Sequence, residues 1–183
     1  MSHVPGRRIT ALTSVSVALA AVAAFAIPGG ARAASAAPAC SPSQLVTYLR
    51  PSAGGGSAGA FTFLLNFSNV GSRACSLRGF PGVSAVDHAG HQLGKAAERS
   101  GASVRTIRLK PATSSTFGTA AAFLTFVDTG NFPAARCASR IASGVKVFAP
   151  NTTVAHRVPM PFPACTTHSA VFLKVSAVGS NPG

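Results

Sequence analysis

Single alternation of apolar and polar side chains is the commonest pattern in this chain. Phe61, Phe63, Leu65 and Phe67 alternate with Thr62, Leu64, Asn66 and Ser68, which predicts a strand with one strongly buried face. Val83 to Val86, Asp87-His-Ala-Gly90 and His91 to Leu93 predict a hairpin, with Gly90 supplying a permissive backbone at the turn. Further strands are expected over Leu45–Arg50, Val104–Leu109, Val145–Phe148, Val154–Val158 and Ala170–Val178. Another lies within Ser114–Val127, where Phe117, Phe123 and Phe126 are the expected core residues. Ser41-Pro-Ser-Gln44 reads as a single capped turn, and Pro51–Gly59 as a flexible Gly/Ser loop. No stretch keeps apolar residues at helical spacing for several turns. Seven to eight short strands separated by turn residues predict an all-β, single antiparallel β-sandwich domain of immunoglobulin-like type.

The first residues break this pattern. Arg7 and Arg8 precede an uncharged apolar run from Ile9 to Ile27, which Pro28-Gly29-Gly30 ends. Ala31-Arg32-Ala33 and Ala34-Ser35-Ala36 both resemble export-signal cleavage sites. Residues 1–33 are therefore expected to be a signal peptide, with cleavage after 36 as the alternative. Residues 34–183, about 150 in all, suit one secreted domain with a substantial core.

All four cysteines, Cys40, Cys75, Cys137 and Cys165, fall in that exported part. An even count in an oxidising compartment predicts two disulfides, and no close pair of cysteines suggests zinc. Three pairings are possible. Local order favours Cys40–Cys75 and Cys137–Cys165, each closing a loop of about 30 residues and contributing ~3–4 kcal/mol. The full chain carries 16 Lys and Arg against 3 Asp and Glu. Without Arg7, Arg8 and Arg32 the net charge falls from +13 to about +10, enough to attract anions non-specifically.

The stretch Asn69-Val-Gly-Ser-Arg-Ala-Cys75-Ser-Leu-Arg-Gly79-Phe-Pro-Gly-Val83 carries a resemblance. With Cys40, Leu45 and Leu65 it resembles a secreted actinobacterial family known as domain of unknown function family 4232. The likeness continues through Gly90, Leu93-Gly94, Arg99 and Leu109-Lys-Pro111, then Asp128-Thr-Gly-Asn-Phe-Pro133 and Cys137. It ends with Val147 to Pro150, Cys165 and the strand to Val178. Pro111-Ala112 stands where that family usually has Pro-Gly. The resemblance implies export, a β-sandwich-like domain and paired cysteines. It implies no activity.

Chemical motifs are few. Gly55-Gly-Ser57-Ala-Gly59 matches G-x-S-x-G, but the pattern needs a strained strand-to-helix turn, and no helix is expected here. Asp87, His88 and His91 have a metal-like spacing but lie in a hairpin turn. His156 or His168 would have to join them through the fold. A carboxylate pair could come only from Asp87, Glu98 and Asp128. Asp128 suits a turn, and Glu98 a surface pair with Arg99. Asn66-Phe-Ser68 and Asn151-Thr-Thr153 match the glycosylation sequon by coincidence. With one Tyr and no Trp, the chain lacks the aromatic platform of a single-strand nucleic-acid or carbohydrate reader.

No catalytic residue, metal or cofactor is therefore expected. The expectation is a non-enzymatic binding or scaffolding module, secreted and associated with the cell envelope. An anion-binding surface would draw on Arg73, Arg78, Arg105, Arg108, Arg136, Arg140 and Arg157. Its partners would be anionic envelope polymers or lipids, and no specific nucleic acid. The alternative is an inhibitor or interaction domain that contacts another secreted protein through residues 51–59 or 131–136. A hydrolase ranks third.

Overall fold

The computed structural model describes Met1, His3 and residues 36–180 except Ala102. The expected signal peptide lies outside the described residues. The chain divides after Ala34 into two units, and every strand among the described residues belongs to the second.

That unit is nearly all β. Its strands are β1 (Leu45–Ser57), β2 (Ala60–Asn69), β3 (Cys75–Arg78), β4 (Gly82–Val86), β5 (Gln92–Leu93), β6 (Glu98–Ser100), β7 (Thr106–Leu109), β8 (Gly118–Val127), β9 (Ser139–Phe148), β10 (Ala155–Cys165), β11 (Leu173–Ser176) and β12 (Gly179–Ser180). The single α-helical turn among the described residues is α1 (Ala134–Cys137). A six-stranded sheet has the order β1-β2-β8-β11-β6, with β12 also on β8. A four-stranded sheet runs β10-β9-β4-β5, and β3 and β7 form a two-stranded ribbon. Among the described residues every ladder is antiparallel except β6–β11, where Glu98, Arg99 and Ser100 run parallel to Lys174, Val175 and Ser176.

One core joins the three sheets. Leu65, Phe67, Ala122, Leu124, Leu173 and Val175 from the first meet Val83, Ala85, Val145, Val147 and Phe162 from the second, with Leu77 and Leu109 from the ribbon. Edge-to-face rings cross the core, Phe63 to Phe126 at 5.6 Å and Phe126 to Phe162 at 4.7 Å between centroids. Both disulfides are buried in it. They pair Cys40 with Cys75 and Cys137 with Cys165, the connectivity favoured by local order.

Four expectations need correction. β2 is not buried on one face alone: Leu64, Asn66 and Ser68 are buried as well as Leu65 and Phe67. Pro51–Ser57 is not a loop; it extends β1, with a register shift between Pro51 and Gly56. Its turn leaves no room at Gly59, whose φ is +78° and whose missing Cβ would meet Asn131 Nδ2. Phe117 and Phe123 are not core residues. Both are about half exposed, whereas Phe126 is 6% exposed. Strand side chains alternate, so Phe123 and Phe126, three apart, cannot share a face. Phe61 points to the core side but stands 58% exposed near the end of β2.

The hairpin over residues 82–93 forms as expected. Asp87 N–H donates to His91 O at 3.0 Å, and Gly90 adopts φ +88°. The Ser41–Gln44 turn is also present, with the Ser41 N–H donating to Gln44 Oε1 at 3.1 Å.

Candidate functional site: a basic ribbon and a loop cluster

The β3–β7 ribbon is built to show one face. Cys75, Leu77, Ile107 and Leu109 turn inward, and the cystine at Cys75 ties β3 to Cys40, ahead of β1. Ser76 pairs with Arg108 and Arg78 with Thr106, so these four share the outward face. Continuing the alternation adds Lys110, and Arg78, Arg108 and Lys110 are all exposed. Backbone bonds from residues 38–40 flank β3 on its other side. Cys40 N–H donates to Ser76 O at 3.0 Å, and Ser76 N–H to Pro38 O at 2.7 Å.

Asn69 locks the ribbon to β2. Its side chain is buried, and its Nδ2 donates to Arg73 O at 2.8 Å and Lys110 O at 3.0 Å. Its Oδ1 accepts from Gly71 N–H at 2.9 Å, which is the local bond that favours Asn at such turns. The turn before β3 and the end of β7 therefore hang on one amide.

The other arginines of the expected surface scatter. Arg73 is exposed in the turn before β3. Arg105 precedes β7 on the ribbon's inner side, where it lines a pocket with Ile107. Arg136 on α1 donates to Ser169 O at 3.2 Å, and Arg140 sits on β9 opposite Ala164. Arg157 donates to Asp87 O at 2.7 Å, His88 O at 3.2 Å and Ser143 Oγ at 2.6 Å, which ties the β4–β5 turn to β9 and β10. Only part of the expected surface comes together, and Lys110 belongs to it although an arginine list omits it.

The few carboxylates lie elsewhere. Asp128 accepts from Gly130 N–H at 2.8 Å, and Glu98 sits on β6. Arg99 does not stand beside Glu98 alone; its guanidinium lies 5.6 Å from the Phe80 ring centre. Asp87 accepts from His91 N–H at 2.8 Å and meets His91 Nδ1 at 3.3 Å. Desolvation raises the pKa of Asp87, but the bonds from His91 and Ala89 and the His91 charge outweigh it. The carboxyl titrates below its ordinary value.

The motif residues fall as follows. Ser57 closes β1 opposite Ala60, in a strand-to-strand turn. Among the described residues no three His, Cys, Asp or Glu side chains cluster as metal ligands. His156 on β10 instead lines a shallow surface with Pro42, Ser43 and Val154. Asn66 of the first sequon is fully buried and inaccessible to a transferase, while Asn151 is exposed.

The two segments expected as alternative contact loops do meet. Gly59 O accepts from Asp128 N–H at 2.8 Å and Asn131 Nδ2 at 2.9 Å. Beside them a cleft of about 100 Å³ is lined by Phe61, Phe126, Asp128, Thr129, Phe162 and Pro163.

Comparison with known proteins agrees with the resemblance in the sequence. The profile of the family described as Domain of unknown function (DUF4232) matches residues 40–179. The chain belongs to that family. No curated protein and no solved structure matches it.

Proposed function

We propose that this DUF4232 member is a secreted, non-enzymatic binding module that holds anionic polymers or lipids at the cell envelope through the outward face of its β3–β7 ribbon. The observation that carries this reading is the placement of Arg78, Arg108 and Lys110 on one rigid face. Asp87 and Asp128 are engaged in turns of their own. An export leader at residues 1–33 and an actinobacterial origin fit the family resemblance, and two buried disulfides fit an oxidising compartment. The shared core of the two larger sheets supports an immunoglobulin-like sandwich as the scaffold.

The test is sedimentation of the mature protein with phosphatidylglycerol vesicles and with wall polysaccharide, at low and high salt. Binding at low salt, loss at high salt and loss in R78E/R108E/K110E support the proposal. No retention at low salt, or full retention by the triple variant, overturns it.

A second reading rests on the contact of Gly59 with Asn131 and on Phe61 exposed beside it. This end of the molecule would dock another secreted protein. Cross-linking of culture supernatant to the wild type but not to F61D would support it, and equal cross-linking would remove it.

A further inference from the structure

A second cavity lies on the face of the six-stranded sheet that turns away from the core. Leu64 and Phe123, directly opposite each other on β2 and β8, form its floor with Ala121. Ile107 and Arg105 wall one side, and residues 176–179 the other. Its volume is about 290 Å³.

An irregularity in the sheet opens this space. Val175 pairs with Leu124 and Gly179 with Ala121, so the β11–β12 side carries one residue more than β8. The extra length forms a bulge over residues 176–178, a feature common beside binding sites. Val178 N–H turns away to Gly79 O at 2.9 Å, and Phe123 N–H is satisfied by Ser176 Oγ at 2.8 Å. Small residues keep the gap open. A Cβ on Gly179 would meet nothing closer than Ala121 O at 4.0 Å.

The lining joins an apolar floor to a single cation. Arg105 has no hydrogen-bond or ion-pair partner among the described residues, and no carboxylate lines the cavity. Phe123 offers a ring that is 48% exposed. That combination matches an anionic headgroup on an apolar stem, and it disfavours a cation or a sugar.

We propose that this cavity binds a medium-chain carboxylic acid, with its carboxylate on Arg105 and its chain along Leu64, Ala121 and Phe123. At ~30 Å³ per water-sized group the volume takes about ten non-hydrogen atoms, the size of octanoate. The site is independent of the basic ribbon face, because Arg105 lies on the ribbon's opposite side.

Titration of the ¹⁵N-labelled mature protein with octanoate tests it, with octylamine and propionate as controls. Octanoate is expected to shift the Ala121, Phe123 and Ser176 amides and to saturate. Propionate and octylamine are expected to leave them unmoved. R105Q should weaken binding about fivefold, the scale of a rim-exposed charge pair. G179L, whose side chain enters the cavity beside Ala121 without a backbone clash, should abolish binding while the rest of the spectrum is retained. Shifts that map elsewhere, equal binding of octylamine, or unchanged affinity in both variants would overturn the proposal.

Discussion

Replacing Asn69 tests whether one amide holds the ribbon in place. Asn69→Ala removes a donor to Arg73 O, a donor to Lys110 O and the acceptor for Gly71 N–H. At ~1 kcal/mol per net hydrogen bond the sum is about 3 kcal/mol. Water can reach the exposed Arg73 side of the turn, which lowers the expected loss to about 2–3 kcal/mol. Asn69→Asp keeps the shape but sets a carboxylate oxygen within hydrogen-bonding distance of two carbonyl oxygens. At pH 7 it should be less stable than Asn69→Ala, because only Oδ1 keeps a donor, Gly71 N–H, while the second oxygen of a buried charge faces two carbonyl oxygens. The folded state then holds the added proton more tightly than the unfolded chain does. Stability of the Asp variant should therefore fall as pH rises above ~3.9, the ordinary Asp value, and recover on acidification. Urea denaturation from pH 3 to 8 reads both effects. Hydrogen exchange at Gly71 reports the local opening. An Ala variant within ~0.5 kcal/mol of wild type, or an Asp variant without the extra pH slope, would refute the argument.

Three further outcomes are expected. Phe126→Ala should cost ~3–5 kcal/mol in urea unfolding and Phe123→Ala ~1 kcal/mol, since the first is buried and the second half-exposed; equal losses would reverse the assigned faces of β8. The disulfide loops, 35 and 28 residues apart in sequence, are close enough in length that C40A/C75A and C137A/C165A should each lose ~3.5–4 kcal/mol. A tenfold difference in midpoint-derived equilibrium constants beyond that would show that one staple acts through more than chain entropy. For Asp87, whose native pKa is depressed, the small stabilisation is present above the ordinary carboxylate range and fades as pH falls through the lower native value. Carbon-13 carboxyl titration should place its midpoint below ~3.9, the ordinary Asp value, and a midpoint above it would contradict the His91 contacts.

Much of the fold was legible from strand period and turn residues, although β2 is buried on both faces from Leu64 to Asn69. The alternation from Phe63 to Phe67 and the Asp87–Gly90 turn gave correct elements, since each combines side-chain period with a turn residue. Pro51–Ser57 misled because its glycines, prolines and serines favour loops. Pairing with β2 holds it extended all the same, a tertiary effect that composition does not carry. β3 and β6 were invisible. Cys-Ser-Leu-Arg and Glu-Arg-Ser are too short and too polar to show a period, and β6 exists through its parallel partner β11. The arginines could be listed from sequence, but a shared face needs the parity of both β3 and β7. Once Val104–Leu109 is taken as a strand, stepping from Thr106 to Arg108 to Lys110 would have revealed the basic row.

The spacing on that row bears on what it can bind. Residues two apart on a strand lie ~7 Å from each other, so Arg108 and Lys110 do not converge on a single small anion. Arg78 enters from the neighbouring strand, paired with Thr106 and diagonal to Arg108. Three cations spread along one ribbon, its strand anchored by the Cys40–Cys75 bridge and its ends by the Asn69 amide, suit a repeating polyanion better than a point charge. Free sulfate at matched ionic strength should therefore compete no better than chloride, whereas a soluble polyanion should displace the protein at far lower charge concentration. Equal competition by sulfate would mean that the ribbon recognises isolated anions, and the polymer reading would fail on geometry.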